Sequence, residues 1–148
     1  MRMTSIVTFV AMLAGAATSL SNPSLAQEGG RAGIAFVQAP EMSSGICTGK
    51  DAASAFSCAR QQCIDGGGTA EDCVDMAYCF PALYSVQVSI LHNEGLHWQE
   101  FFCGWDSREA AMDAAKVACD VSKRPYISEC VAAAIYDEDG NKEDLINQ

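Results

Sequence analysis

Eight cysteines recur in this chain in a doubled pattern, and no other feature constrains the fold as strongly. Cys47 and Cys63 bracket one segment rich in small residues, and Cys103 and Cys119 bracket another of equal length, at an offset of 103 − 47 = 56 residues. That offset puts Ala55 on Ala111, Phe56 on Met112, Ala59 on Ala115 and Arg60 on Lys116; one further inserted residue brings Cys73-Val74 onto Cys130-Val131. Self-similarity at a fixed period means that one supersecondary unit is used twice and that neither copy need be stable alone.

The N-terminus sets the expected compartment. Arg2 precedes an apolar run over residues 6–17, shorter than the roughly 20 residues needed to cross a bilayer. Ser24-Leu25-Ala26 then supplies the small residues of a cleavage site, so residues 1–26 read as a secretory signal and 27–148 as one mature domain, secreted or periplasmic, with no membrane insertion once the signal is removed. All eight cysteines lie in that domain. An even count in an exported chain implies a disulfide framework, each bridge contributing about 2–5 kcal/mol. Loss of Arg2 with the signal leaves a mature charge of 8 − 19 = −11. Such a field repels nucleic acid and anionic lipid and favours a basic protein partner.

Residues 32–37 read as a first strand, stopped by Pro40, and a short second strand is expected at Ile46-Cys47. Thr48 or Asp51 can cap a helix to about Ile64, with Ala52, Ala55, Phe56, Ala59 and Cys63 on one face and Gly66-Gly67-Gly68 as its stop. Those glycines are a poor phosphate cradle, because they follow a helix and sit beside Asp65, Glu71 and Asp72. Residues 73–79 read as a strand. Residues 84–91 and 98–103 read as a hairpin joining the two repeats, turning through Asn93 and Gly95. Asp106, with Glu109 three residues on, predicts the cap of a second helix whose small apolar face is Ala110, Ala111, Ala114, Val117 and Ala118. A strand over 126–135 and a turn over 136–141 follow. The expected fold is α+β: two strand-helix-strand repeats, about 34–91 and 92–140, in one mixed or antiparallel sheet with both helices on one face, stapled by disulfides.

The stretch from Ser107 to Gly140, with Ser-Arg-Glu-Ala-Ala, Ala-Cys, Cys-Val-Ala-Ala-Ala-Ile and Asp-Gly, resembles a family of small secreted bacterial and mycobacterial proteins catalogued only as a domain of unknown function. Ala59-Arg60-Gln61-Gln62-Cys63, Gly67-Gly68, Asp72-Cys73-Val74 and Tyr78-Cys79 look like a first unit of the same kind. The resemblance implies repeated alanine-rich helices ending in cysteine, each followed by a cysteine-led strand, and brings no activity with it. A helix-end cysteine followed by a strand cysteine suggests Cys63 with Cys73 and Cys119 with Cys130. Cys47 and Cys103 then either pair with each other or take Cys58 and Cys79.

Little catalytic chemistry is suggested. No Cys-x-x-Cys spacing marks a redox site, and structural zinc sites need closely paired ligands. His92 and His97, the only histidines, flank the hairpin turn and are weak candidates for a copper or zinc clasp. Their scarcity, and the lack of a nucleophile elbow, argue against Ser-His-Asp hydrolysis. The run from Asp137 to Asn141 lacks the distal glutamate of a calcium loop and suits a turn better. Trp98 and Trp105 are the candidate binding anchors. The expectation is a non-enzymatic exported binding module without cofactor, contacting or inhibiting a basic protein; a periplasmic redox or metal-handling protein and a structural envelope protein are the alternatives.

Overall fold

A computed structural model describes residues 30–146, so the signal segment 1–26 lies outside the described residues. The elements are β1 (Gly33–Ala39), β2 (Ser43–Gly49), α1 (Ala52–Asp65), β3 (Val74–Cys79), β4 (Tyr84–His92), β5 (His97–Trp105), α2 (Arg108–Ala118), β6 (Ile127–Tyr136) and β7 (Lys142–Asp144). The α+β class and the disulfide staples are present, but the strands form two antiparallel sheets where one was expected. Their orders are β2-β1-β3 and β5-β4-β6-β7.

The two orders are alike over their first three strands. Each unit is a hairpin, a helix and a returning strand, with the first strand of the hairpin in the middle. The units span residues 33–79 and 84–136, so β4 opens the second unit and does not close the first. The counterpart hairpin β1–β2 is hard to see in sequence because Ser43, Ser44, Gly45 and Gly49 are poor strand formers.

The layering follows from β1, whose seven residues are all buried. A strand that is apolar on both faces needs cover on both. Ala35, Val37 and Ala39 pack on Ala55, Ala59 and Cys63 of α1. The alternate residues Ile34 and Phe36 point the other way, into a cluster with Ala134, Tyr136 and Phe101 of the second sheet. In that sheet Val86, Val88 and Ile90 meet Ala111 and Ala115 of α2. The helices therefore do not share a face: the order is α1, first sheet, second sheet, α2. Between the sheets Phe36 stacks on Phe101 with centroids 4.6 Å apart and meets the edge of Tyr136 at 5.8 Å. Two pairs of polar groups in this layer satisfy one another, whereas the buried Ser85 hydroxyl and Gln99 Oε1 have no hydrogen-bond partner among the described residues. The Tyr136 hydroxyl donates to Gln87 Oε1 at 2.7 Å. The Gln38 carboxamide, oriented by its hydrogen bonds, accepts from the Gln99 N–H at 2.9 Å and donates to the Gln99 carbonyl at 3.2 Å, as a strand would.

Both helices carry side-chain caps. Asp51 accepts from the Ser54 N–H at 2.8 Å in a reciprocal capping box, and these hydrogen bonds from Ser54 hold its carboxyl below the usual range. On α2 the cap is Ser107, not Asp106: the Ser107 hydroxyl accepts from the Ala110 N–H at 3.1 Å, and the helix begins one residue later than expected.

Four disulfides use all eight cysteines. Cys63–Cys73 and Cys119–Cys130 tie the end of each helix to the returning strand. Cys47 does not pair with Cys103. Cys47–Cys58 joins β2 to α1, and Cys79–Cys103 joins β3 to β5, linking the two units.

Candidate binding groove

Cys47 and Cys103 align in sequence yet point to opposite sides of their strands, and a single extra residue is the cause. β5 pairs regularly with β4 as far as Val86 opposite Phe102, after which Tyr84 lies opposite Trp105. β4 has advanced two positions and β5 three. This is a β-bulge, with Gly104 at φ 83°, a conformation that suits glycine. Up to the bulge β5 alternates regularly, so Cys103 shares the side of Phe101 in the inter-sheet cluster and reaches Cys79; past the bulge the alternation is reversed and Trp105 comes to the helix side. Phe102 takes the helix-facing place beside Val86. β2 pairs with β1 without a shift, and Cys47 stays on the helix side, where it meets Cys58.

The strand–helix seam differs accordingly between the units. In the first it is sealed. A methyl group on Gly45 would overlap the Ala59 carbonyl, and one on Gly49 would lie 2.7 Å from the Ala55 nitrogen, so α1 rests directly on the β2 backbone. Gln62 stitches the seam further: its Oε1 accepts from the Ile46 N–H at 3.1 Å and its Nε2 donates to Cys47 Sγ at 3.0 Å. In the second unit the offset of 56 places Trp105 at the Gly49 position, Ala114 at Cys58 and Ala118 at Gln62. Bulk replaces glycine on the strand, and the groups that stitch the first seam are missing from the helix. The result is an open groove of about 540 Å³ lined by Phe102, Trp105, Ala110, Asp113, Ala114, Val117 and Ala118.

This groove is apolar apart from Asp113. Trp105 is 37% exposed and Val117 66%, and both line this one groove, so their exposed apolar surface is contiguous. Its border is acidic: Asp106 follows Trp105, and Glu109 and Asp113 stand exposed one helical turn apart. Of the cations beside them, Lys116 is paired with Asp113 at 2.7 Å and Arg108 with Glu143 at 2.6 Å.

The two tryptophans separate. Trp98 is half-buried, and its indole N–H donates to Glu100 Oε1 at 3.1 Å. Glu100 also takes two hydrogen bonds from Arg124, at 2.9 and 2.5 Å. Burial pushes the Glu100 carboxyl up, but Arg124 and Trp98 outweigh it and the net shift is downward. Arg124 also donates to the Tyr126 hydroxyl at 3.0 Å, and with Glu100 it is held charged. Trp98 thus belongs to a polar brace under the loop after α2, while Trp105 stands in the groove.

The histidines have separate partners. His92 Nδ1 accepts from the Glu94 N–H at 3.0 Å, and its ring lies between Trp98 and Tyr126. The His97 N–H donates to Glu41 at 3.3 Å. Among the described residues no group of three His, Cys, Asp or Glu side chains is placed to hold a metal. Asp137 is occupied as a turn carboxylate, accepting from the N–H groups of Asp139 and Asn141.

Sequence placed Ala110, Ala111, Ala114, Val117 and Ala118 on one covering face of α2. The structure divides them: Ala111, with Ala115, is buried on the sheet, whereas Ala110, Ala114, Val117 and Ala118 face the groove. The signal was an apolar arc too wide for one-sided burial. Phe102 is not among the binding anchors read from sequence; Gly104, a glycine within a strand, marks the bulge that brings Trp105 to the same side as Phe102.

No family model, no curated protein and no solved structure matches this chain.

Proposed function

We propose that this chain is an exported, non-enzymatic binding module that contacts a basic protein through the groove between β5 and α2. The observation that carries this is the groove itself, apolar in its floor, acidic at its border, and present in one unit while the same seam is sealed in the other. A fold that needed the groove only for packing would show it twice.

Export rests on the signal-like segment at 1–26 and suits four disulfides, which persist in an oxidising compartment. Among the described residues no helix is long and apolar enough to cross a membrane. Kinship with the small secreted family that the sequence resembles is part of this proposal. The redox alternative needs Cys58 or Cys79 as a thiol, and both are bridged. An envelope role draws on no particular feature of the structure.

A cationic hydrolase such as a lysozyme fits the charge and compartment as partner. The test is calorimetric titration of the mature, fully oxidised protein against a panel of cationic hydrolases at low and high salt, with enzyme inhibition measured in parallel. Binding that weakens as salt rises is expected. No binding and no inhibition across the panel at low salt ends the proposal.

A further inference from the structure

We infer that the groove receives an amphipathic α-helix of the basic partner, laid along α2, with an apolar stripe on Trp105, Phe102, Ala114 and Val117 and cationic side chains over Glu109 and Asp113. This rests on the binding role proposed above and names the form of the ligand.

Three observations select a helix. First, the flank of β5 is poorly suited to adding a strand. Strand addition needs a run of free backbone rungs. On β5 the Gln38 carboxamide already holds both backbone groups of Gln99, the Cys79 bridge brings β3 against Cys103, and the bulge at Gly104 interrupts the regular strand beyond it. Recognition must come from side chains in the groove.

Second, the groove runs along α2 from Ala110 to Ala118, which at ~1.5 Å per residue is about 12 Å, or just over two helical turns. That is the footprint of apolar residues at positions i, i+3, i+4 and i+7 of a docked helix. Small side chains on α2 let a second helix approach closely, and Trp105 closes the far side as a rigid anchor.

Third, the charges have a matching period. Glu109 and Asp113 are four residues apart on α2; Lys116 pairs with Asp113, and Arg108, held mainly by Glu143, also feels Glu109. Two carboxylates at that spacing face two cations at the same spacing on an opposed helix. The net acidity of the chain steers such a helix toward the groove.

The test uses the full mature chain in its oxidised form and three synthetic peptides of fifteen residues. One carries leucine at helical spacing with lysine beside it, one has the same composition in strict Leu–Lys alternation, and one repeats the first with glutamate for lysine. Binding is read by calorimetric titration for every variant, with Trp105 fluorescence in a Trp98→Phe background as a second readout where Trp105 is present, and peptide helicity from circular dichroism. The helix-patterned lysine peptide is expected to bind and to gain helicity, while the other two bind at least about tenfold more weakly. Trp105→Ala is expected to weaken the first peptide at least about tenfold, and Asp113→Lys about three- to fivefold. Val117→Asp, at an exposed position, gives the same answer if Trp105→Ala folds poorly. The inference is overturned if the alternating peptide binds as tightly, if neither groove variant matters, or if dodecanoate saturates Trp105 while no cationic peptide binds. Should a cationic hydrolase bind and Val117→Asp abolish it while no peptide binds, the helical ligand is wrong and the binding role stands. Should hydrolases and peptides both fail, the binding role itself fails.

Discussion

The two units share strand order, a central first strand, a capped helix and a bridge from helix end to returning strand, yet one seals its helix onto its strand and the other stands open. The difference comes from few residues. Gly45 and Gly49 admit α1 to the β2 backbone, and Cys47 fastens it. Trp105, brought to the helix side by the bulge at Gly104, holds the corresponding gap open, and Cys103 has another partner. The seam is thus set by side-chain size and phase along one strand while the surrounding fold stays constant.

The comparison breaks most readily at Cys79–Cys103, the only disulfide that crosses between units. Its cysteines are 24 residues apart, against 11 for Cys119–Cys130. Chain-entropy arithmetic then gives a cost of about 3.5 kcal/mol for Cys79→Ala with Cys103→Ala and about 2.8 kcal/mol for the other pair. The expected result in scanning calorimetry is a fall of roughly 10–20 °C in Tm and a broadened or split transition for the first double variant. The second should melt in one step. One sharp transition in both would mean that the inter-sheet core around Phe36, Phe101 and Tyr136 couples the units without the bridge.

Gly45→Ala tests the sealed seam. The methyl group has nowhere to go except into the Ala59 carbonyl, so α1 must lift from β2, at a cost of about 3 kcal/mol in denaturant unfolding. The counterpart of Gly45 by strand register is Glu100: Gly45 lies opposite Val37, and Glu100 opposite Val88. An alanine there meets no backbone, and any loss comes instead from the orphaned Arg124. If Gly45→Ala is as mild as a surface change, close helix–strand contact is not what seals the first seam.

Much of each unit was legible because its signals are local. The Asp51 cap, the His92–His97 turn and the cysteine spacing are all read within one element or its neighbour. The layers were not. Ile34-Ala35-Phe36-Val37 says that β1 is covered on both faces but not by what, and a second sheet and a second helix satisfy that pattern equally well. The groove was half visible. Trp105 and the alanines of α2 were noticed, but two adjacent apolar stripes, one on Ala111 and Ala115 and one on Ala110, Ala114 and Ala118, merge when counted as a single face. Their separation depends on the phase of β5, and one residue at the bulge changes that phase.

Where glycine stands in the first seam, the second has the Glu100–Arg124 brace, and acid should expose it. The net downward shift of the Glu100 carboxyl means that the folded state favours its ionised form more than the unfolded chain does. That contribution is in place above the ordinary value of 4.5 and is lost as pH falls through the lower folded-state value. Glu100→Gln is expected to cost about 1–2 kcal/mol at neutral pH, since the half-buried Arg124 loses its charged acceptor, and to flatten the decline in stability below pH ~4.5. A variant that keeps the full acid slope would place the responsible carboxylate elsewhere, with Glu143, paired to Arg108, as the next to replace.

The smallest expected effect on stability is also the sharpest test of the contrast between units. Val117 stands where the first unit has Gln61, whose amide donates to Asp65 at 2.8 Å on an exposed helix surface. Val117→Gln copies that surface into the second unit. Val117 is 66% exposed, so it contributes little packing, and glutamine is the better helix former by a few tenths of a kcal/mol. Stability should therefore stay within about 0.5 kcal/mol of the parent, or rise slightly. Affinity for a cationic partner should fall about tenfold, because a polar amide on the groove floor must be desolvated without a hydrogen-bond partner. A loss of stability above about 1 kcal/mol with affinity unchanged would show that Val117 serves packing and that the open seam is not a contact surface. The predicted pattern, unchanged folding with lost binding, is what distinguishes a residue kept for a partner from one kept for the core.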